Sequence, residues 1–153
     1  MNKHTVAWLI GIAGCCLFSA ARPEQSTVAR IVKFRQATMT VQAETFASLT
    51  AMVTGKVPYD AKRAQLLADR TVLLAQITSE TFPESSRNAP GSNTLPEVWS
   101  DRQGFARMMT EYLENTAAVA SASRSGTADS LRPAVVAVGK VCRSCHQGYE
   151  SLP

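Results

Sequence analysis

The sequence has little of what most binding and catalytic proteins display. Its 153 residues contain no run of Lys or Arg long enough to form a nucleic-acid arm, and no stripe where aromatic and basic residues interleave. That argues against nucleic acid as a partner. The formal charge of +4 is mild; it suits solubility and encounter with an acidic partner, and specifies nothing further. Seven prolines and eight glycines are too few for a disordered chain, and no repeat or low-complexity tract interrupts it. No segment reads as a strand, and no apolar run is long enough to cross a bilayer well. Only two histidines and four cysteines are present, and they cluster at the two ends of the chain.

The first twenty-one residues obey different rules from the rest. "MNKHTVAWLIGIAGCCLFSAA" sets Lys3 before an uncharged apolar stretch, Val6 to Phe18, and closes on the small residues Ser19, Ala20 and Ala21. This is the layout of a secretory signal peptide over residues 1–21, with an uncleaved anchor as the alternative. "IAGC", Ile12 to Cys15, also resembles the box at which bacterial lipoproteins are cleaved and lipidated, so contact with a membrane is expected only if Cys15 carries lipid. Cleavage near Ala21 leaves residues 22–153, enough for one domain with a core and too few for two. It removes His4, Cys15 and Cys16, so the mature chain keeps Cys142 and Cys145 as its thiols and His146 as its sole imidazole.

Four segments carry helical signals. The first spans about Gln25 to Thr54, stopped by Gly55 and Pro58. Along it Val28, Val32, Arg35, Met39, Gln42, Phe46, Leu49 and Val53 recur in steps of four and three, the seam of an antiparallel bundle or coiled coil. The second spans about Asp60 to Thr81, with Asp60 as N-cap. Pro83 to Glu97, dense in Pro, Gly, Ser and Asn, reads as a loop. The third helix starts at Glu97 or Ser100 and ends near Ala122, with Phe105, Met108, Met109, Tyr112, Thr116 and Val119 inward. The fourth starts near Thr127–Ser130 and runs to about Ser151; Pro133 is expected in its first turn. Its seam is Leu131, Val135, Val138, Cys142, Cys145, Tyr149 and Leu152. The expected fold is all-α, an antiparallel four-helix bundle.

Cys142 and Cys145 share that last seam, and His146 adjoins it. A disulfide between residues three apart on a helix would close a trivial loop and stabilise little. A structural zinc site needs four ligands, and the mature chain offers two thiolates and one imidazole. A thioredoxin-type pair belongs at a strand-to-helix junction, which is lacking here. Cys-x-x-Cys-His is the attachment pattern of c-type haem, and it uses all three residues: two thioethers to the haem, and His146 carried by the helical pitch to the iron. Export agrees with this, because such attachment happens outside the bacterial cytoplasm. The expected cofactor is one covalent haem c, with its iron, near the C-terminus.

With its haem motif at the C-terminal end of a four-helix chain, the sequence resembles the class II c-type cytochromes, the cytochrome c′ family, over residues 25–150. The likeness is carried by "VKFRQATM" (Val32–Met39), "LPEVWSDRQGF" (Leu95–Phe105) and "GKVCRSCHQGY" (Gly139–Tyr149). The resemblance implies that Cys142 and Cys145 bind the haem, that His146 ligates iron, and that Arg35 sits by a haem propionate. Arg35 and Gln42 are polar positions in an apolar seam and demand partners; the alternative for Arg35 is to snorkel to solvent. Met39 falls where the family places its distal residue. There it either ligates iron, as in low-spin electron carriers, or packs against an open site, as in five-coordinate members that bind NO and CO. Trp99 and Phe105 match aromatics packed around the bundle. One departure is Glu150, four residues after His146, where the family usually carries a basic residue.

The resulting expectation is a periplasmic electron carrier rather than an enzyme, its iron held by His146 and by Met39, exchanging electrons with periplasmic redox partner proteins. The alternative is a binder of NO or CO at an open distal site. A homodimer through the first two helices is a family habit.

Overall fold

The computed structural model describes residues 23–151. The expected signal peptide over 1–21, its cysteines Cys15 and Cys16, and Leu152 lie outside the described residues. Five helices occur in order: α1 Pro23–Val53, α2 Ala61–Ser79, α3 Glu97–Ser100, α4 Arg102–Ser123 and α5 Ala128–Tyr149. A 3₁₀ turn, Glu84–Ser86, lies in the connection between α2 and α3. The four long helices pack in a ring, α1 on α2, α2 on α4, α4 on α5 and α5 on α1, which is the four-helix bundle expected. None of the described helices is long and apolar enough to cross a membrane.

Local chemistry sets the boundaries. At the end of α1, Gly55 takes φ +75°, and the N–H groups of Gly55 and Lys56 close on the carbonyls of Met52 and Ala51 at 3.2 and 2.9 Å. That paired closure satisfies carbonyls the helix would leave open, and only glycine takes the positive φ without strain. Asp60 caps α2 as expected, its Oδ1 accepting from the Arg63 N–H at 2.9 Å. Thr127 caps α5. The third segment differs from expectation: the chain is helical over Glu97–Ser100, breaks at Asp101, and restarts, because the Asp101 carboxylate caps the new helix by accepting from Gly104 N–H at 3.0 Å. Pro133 differs too. It is the sixth residue of α5, in the second turn, where its missing N–H leaves the Asp129 carbonyl without its helical partner; both residues are exposed, so water can serve it.

The seam read along α1 is the buried face. Val32, Arg35, Gln42, Leu49 and Val53 are buried, and Val28, Met39 and Phe46 are partly so. The tightest packing lies at one end of the bundle, where Leu49, Val53, Leu67, Val119, Leu131 and Val138 lose almost all contact with solvent. Each such side chain contributes roughly 1.5–3 kcal/mol by leaving water. Buried threonines there turn inward on their own helices: Thr71 Oγ1 donates to the Leu67 carbonyl and Thr116 Oγ1 to that of Leu113, each at 2.9 Å. Towards the opposite end the α5 seam loosens, and Cys142, Cys145 and Tyr149 are only partly buried. The close-packed end holds the helices together; the other end is free to be shaped around something else.

Candidate functional site

At that looser end α1, α4 and α5 line an open cavity of about 510 Å³, with a smaller one of about 290 Å³ beside it. Met39, Phe82, Cys145 and His146 line both. The larger is walled mainly by apolar side chains, among them Phe46, Met108, Met109 and Val141, with Cys142 on its α5 side. Arg35, Phe105, Tyr149 and Glu150 face the smaller. The structure therefore brings together all five residues singled out from sequence: Arg35 and Met39 from α1, and Cys142, Cys145 and His146 from α5. Met108 and Met109, expected in the core, pack against it and also reach the cavity wall, whereas Met52 is core alone.

Cys142 and Cys145 are not joined in a disulfide, so both sulfurs are available for attachment. Burial pushes the Cys142 thiol up, and pushes Cys145 up to about 11, with the neighbouring Cys142 and Glu150 adding repulsion. Before haem is attached, both thus stay protonated near neutrality, in a state that resists stray oxidation. Among the described residues no group of three His, Cys, Asp or Glu gathers as a bare metal site would need. His146 is half-exposed, and its Nδ1 lies 3.6 Å from Glu150 Oε2.

Arg35 does not snorkel. It is 4% exposed, and burial lowers its pKa. Its Nε donates to the Thr81 carbonyl at 2.9 Å, Nη1 to Ser92 Oγ at 3.2 Å and Thr94 Oγ1 at 2.7 Å, and Nη2 to Ser86 Oγ at 2.6 Å. The guanidinium also lies 4.5 Å over the Phe82 ring. One N–H of the five remains, and among the described residues no carboxylate pairs with this buried cation. A buried charge held only by neutral oxygens favours an anion nearby. Sequence reasoning missed this oxygen cradle, because Thr81, Ser86, Ser92 and Thr94 are spread through a loop with no spacing of their own.

An aromatic chain closes the site's outer edge. Phe82 meets Phe105 edge-on at 5.0 Å, and Phe105 meets Tyr149 at 5.2 Å. Trp99, matched from sequence to a packing role, is buried and donates from Nε1 to the Phe82 carbonyl at 3.3 Å.

The residues present fit a haem. Two thiols and an imidazole on one helix face an apolar cavity, a cation without a carboxylate borders the smaller cavity beside it, and Gln42, Thr50 and Thr78 leave side-chain polar atoms without a protein partner along the wall of the larger. The fold and this donor set define a helical-bundle protein with covalent haem. A sequence profile of the cytochrome c′ family matches residues 30–150, and the chain belongs to that family. Its cofactor is accordingly covalent haem c with its iron. The chain is 33% identical over 129 residues to cytochrome c′ of Alcaligenes xylosoxydans xylosoxydans, covering 84% of this chain and 95% of the relative. It superposes on cytochrome c prime from Shewanella frigidimarina with a TM-score of 0.77 at 31% identity, covering 82% of this chain and 97% of that one. A ferrous variant of cytochrome c prime from Alcaligenes xylosoxidans with bound NO superposes with the same TM-score at 28% identity and the same coverage.

Proposed function

We propose that the protein is a periplasmic monohaem electron carrier, with haem c joined to Cys142 and Cys145 and its iron held between His146 and Met39. The observation that supports this reading is that Met39 of α1 and His146 of α5 border the same two cavities. Bound there, haem c supplies a one-electron ferric–ferrous couple. The chain's own groups do the rest. Cys142 and Cys145 hold the macrocycle to α5, and His146 comes one residue later to offer its ring nitrogen. Met39 offers a thioether sulfur, a soft, neutral donor that favours the reduced iron, and the apolar walls act in the same direction by keeping water out. Arg35, with its remaining N–H, receives a propionate and neutralises it. Residues 1–21 act as the export signal that brings the thiols to the compartment where haem is attached.

The test is the absorption spectrum of the purified ferric protein at neutral pH. A low-spin, six-coordinate spectrum that becomes five-coordinate in Met39→Ala is expected. A five-coordinate spectrum in the parent protein removes the electron-carrier reading in this form.

A second reading is supported by the relative with bound NO: Met39 only packs, and the cavity on its side admits NO or CO. Its test is a stoichiometric gas titration of the reduced protein, and an unperturbed spectrum ends it. For assembly, Phe34 and Val41, seven apart on α1, and Leu66 and Leu73, seven apart on α2, are all about half exposed. These stripes, not recognised from sequence, support a homodimer through the first two helices, to be checked by light scattering on the eluted protein.

A further inference from the structure

Glu150 stands where the family usually carries a basic residue, and its carboxylate reaches the candidate iron ligand. Oε2 lies 3.6 Å from Nδ1 of His146. The ring nitrogen on the Glu150 side is thus Nδ1, which leaves Nε2 for iron. We propose that Glu150 is a positioning residue for the proximal histidine: its carboxylate takes the Nδ1–H of His146, fixes the tautomer and plane of the ring, and lowers the reduction potential of the haem. The proposal rests on His146 being the ligand.

The backbone around Glu150 is held as such a role requires. Its N–H donates to the His146 carbonyl at 3.1 Å, so the cap of α5 is the positioning residue itself. On either side of it, Leu95 N–H donates to the Tyr149 carbonyl at 2.9 Å and Ser151 N–H to the Asn93 carbonyl at 2.8 Å. Thr94 and Glu150 thereby form an isolated antiparallel bridge. Thr94 is in turn held by Arg35 Nη1. A helix end that would otherwise fray is strapped to the loop, which fixes the backbone from which the Glu150 side chain reaches the ring. Among the described residues no Lys or Arg lies within ion-pair distance of Glu150, so no second ion pair draws its carboxylate away from His146.

The electronic consequence stems from the Nδ1–H···carboxylate hydrogen bond that the pair would form when the 3.6 Å contact closes by a few tenths of an ångström. An imidazole that gives its Nδ1–H to a carboxylate becomes a more basic donor at Nε2. A more basic donor stabilises ferric iron over ferrous, so the one-electron reduction becomes harder. His146 then opposes Met39, whose thioether raises the potential. Both members of the pair are partly exposed, 53% for the imidazole and 40% for the carboxylate, so solvent screens part of the effect.

The test uses the haem-loaded protein with Glu150→Gln, which keeps size and removes charge, and Glu150→Asp, which keeps charge and shortens reach. In spectroelectrochemistry Glu150→Gln is expected to move the oxidised–reduced equilibrium about tenfold towards the ferrous form, about 59 mV for a one-electron couple. In a Met39→Ala background, where the ferrous iron keeps only His146, resonance Raman should show the iron–histidine stretch falling in both the Gln and the Asp variant. A potential that moves while the stretch stays fixed means that Glu150 acts only as a remote charge, and overturns the proposal. So does a stretch and a potential that both stay fixed. Absence of any iron–histidine band in the Met39→Ala parent would instead remove His146 as ligand, a failure of the function itself and distinguishable from the other two.

Discussion

Arg35 donates to Thr94 Oγ1 at 2.7 Å, and Thr94 pairs through its backbone with Glu150, so a cation on α1 fixes the last residues of the haem-motif helix. The geometry depends on the planar fork of arginine, which sends N–H groups to Thr81, Ser86, Ser92 and Thr94 at once. Lysine carries three donors on one atom and cannot reach four oxygens spread around a plane. Arg35→Lys is therefore expected to lower stability by about 2–4 kcal/mol, since several buried bonds to a charged group are lost together. Denaturant unfolding of the haem-loaded protein checks this: the midpoint should fall with little change in slope. An unchanged midpoint would show that the loop is held by other means.

Gly104 makes a second local requirement. A Cβ built there would collide with the Asp101 carboxylate and come within 2.8 Å of the Tyr149 hydroxyl. Asp101 is the N-cap of α4, and its Oδ2 also accepts from that hydroxyl at 3.3 Å. Glycine to alanine inside a helix ordinarily stabilises by about 1 kcal/mol. Here that gain is expected to be offset or exceeded by loss of the cap, which costs roughly 0.5–2 kcal/mol. In thermal melts the Asp101→Ala midpoint should therefore fall, and the Gly104→Ala midpoint should fall or hold. A clear rise in the Gly104→Ala midpoint would mean that Asp101 swings aside without cost.

Much of the bundle is legible in sequence because its signals are local. The four-three seam of α1, the Asp60 cap and the Gly55 stop all act within a turn or two, and each appears where expected. The haem motif is local too, since Cys142, Cys145 and His146 lie within five positions. The break at Asp101 is not legible in the same way: Glu97 and Ser100 are both sound starting points, and only the cap bond from Gly104 shows that the chain uses two helices. The surroundings of Arg35 are the hardest case. Its partners lie 46 to 59 residues away in a loop whose composition announces flexibility, and only the folded structure gathers their oxygens around one guanidinium.

The cavity thiols carry a pH signature in the haem-free protein. Cys145 is pushed up to about 11 from an ordinary 9.0, by burial first and then by Cys142 and Glu150. The fold thus prefers the protonated thiol, so the stability it adds is fully present below about pH 9 and is lost as pH rises towards 11. At pH 8 the folded chain holds on the order of a hundredfold less thiolate at this position than the unfolded chain. Iodoacetamide should therefore label Cys145 of haem-free protein slowly in buffer and far faster in urea, as read by mass spectrometry of the tryptic peptide. Equal rates in the two conditions would place the thiol in water.

His146 tests the division of labour between attachment and ligation. His146→Gly leaves both thiols in place, so haem should remain on the chain in a denaturing gel stained for haem, while the iron loses its donor from α5. The parent side chain is 53% exposed, so a small molecule can reach the space that the ring leaves. Added imidazole is then expected to restore the parent absorption spectrum, because it returns the same nitrogen to the same place without a covalent tether. Glycine near the end of α5 costs about 1 kcal/mol in helix propensity, a loss that imidazole should offset in part if it binds only the folded chain. A His146→Gly spectrum identical to the parent before imidazole is added would mean that another residue holds the iron on that side.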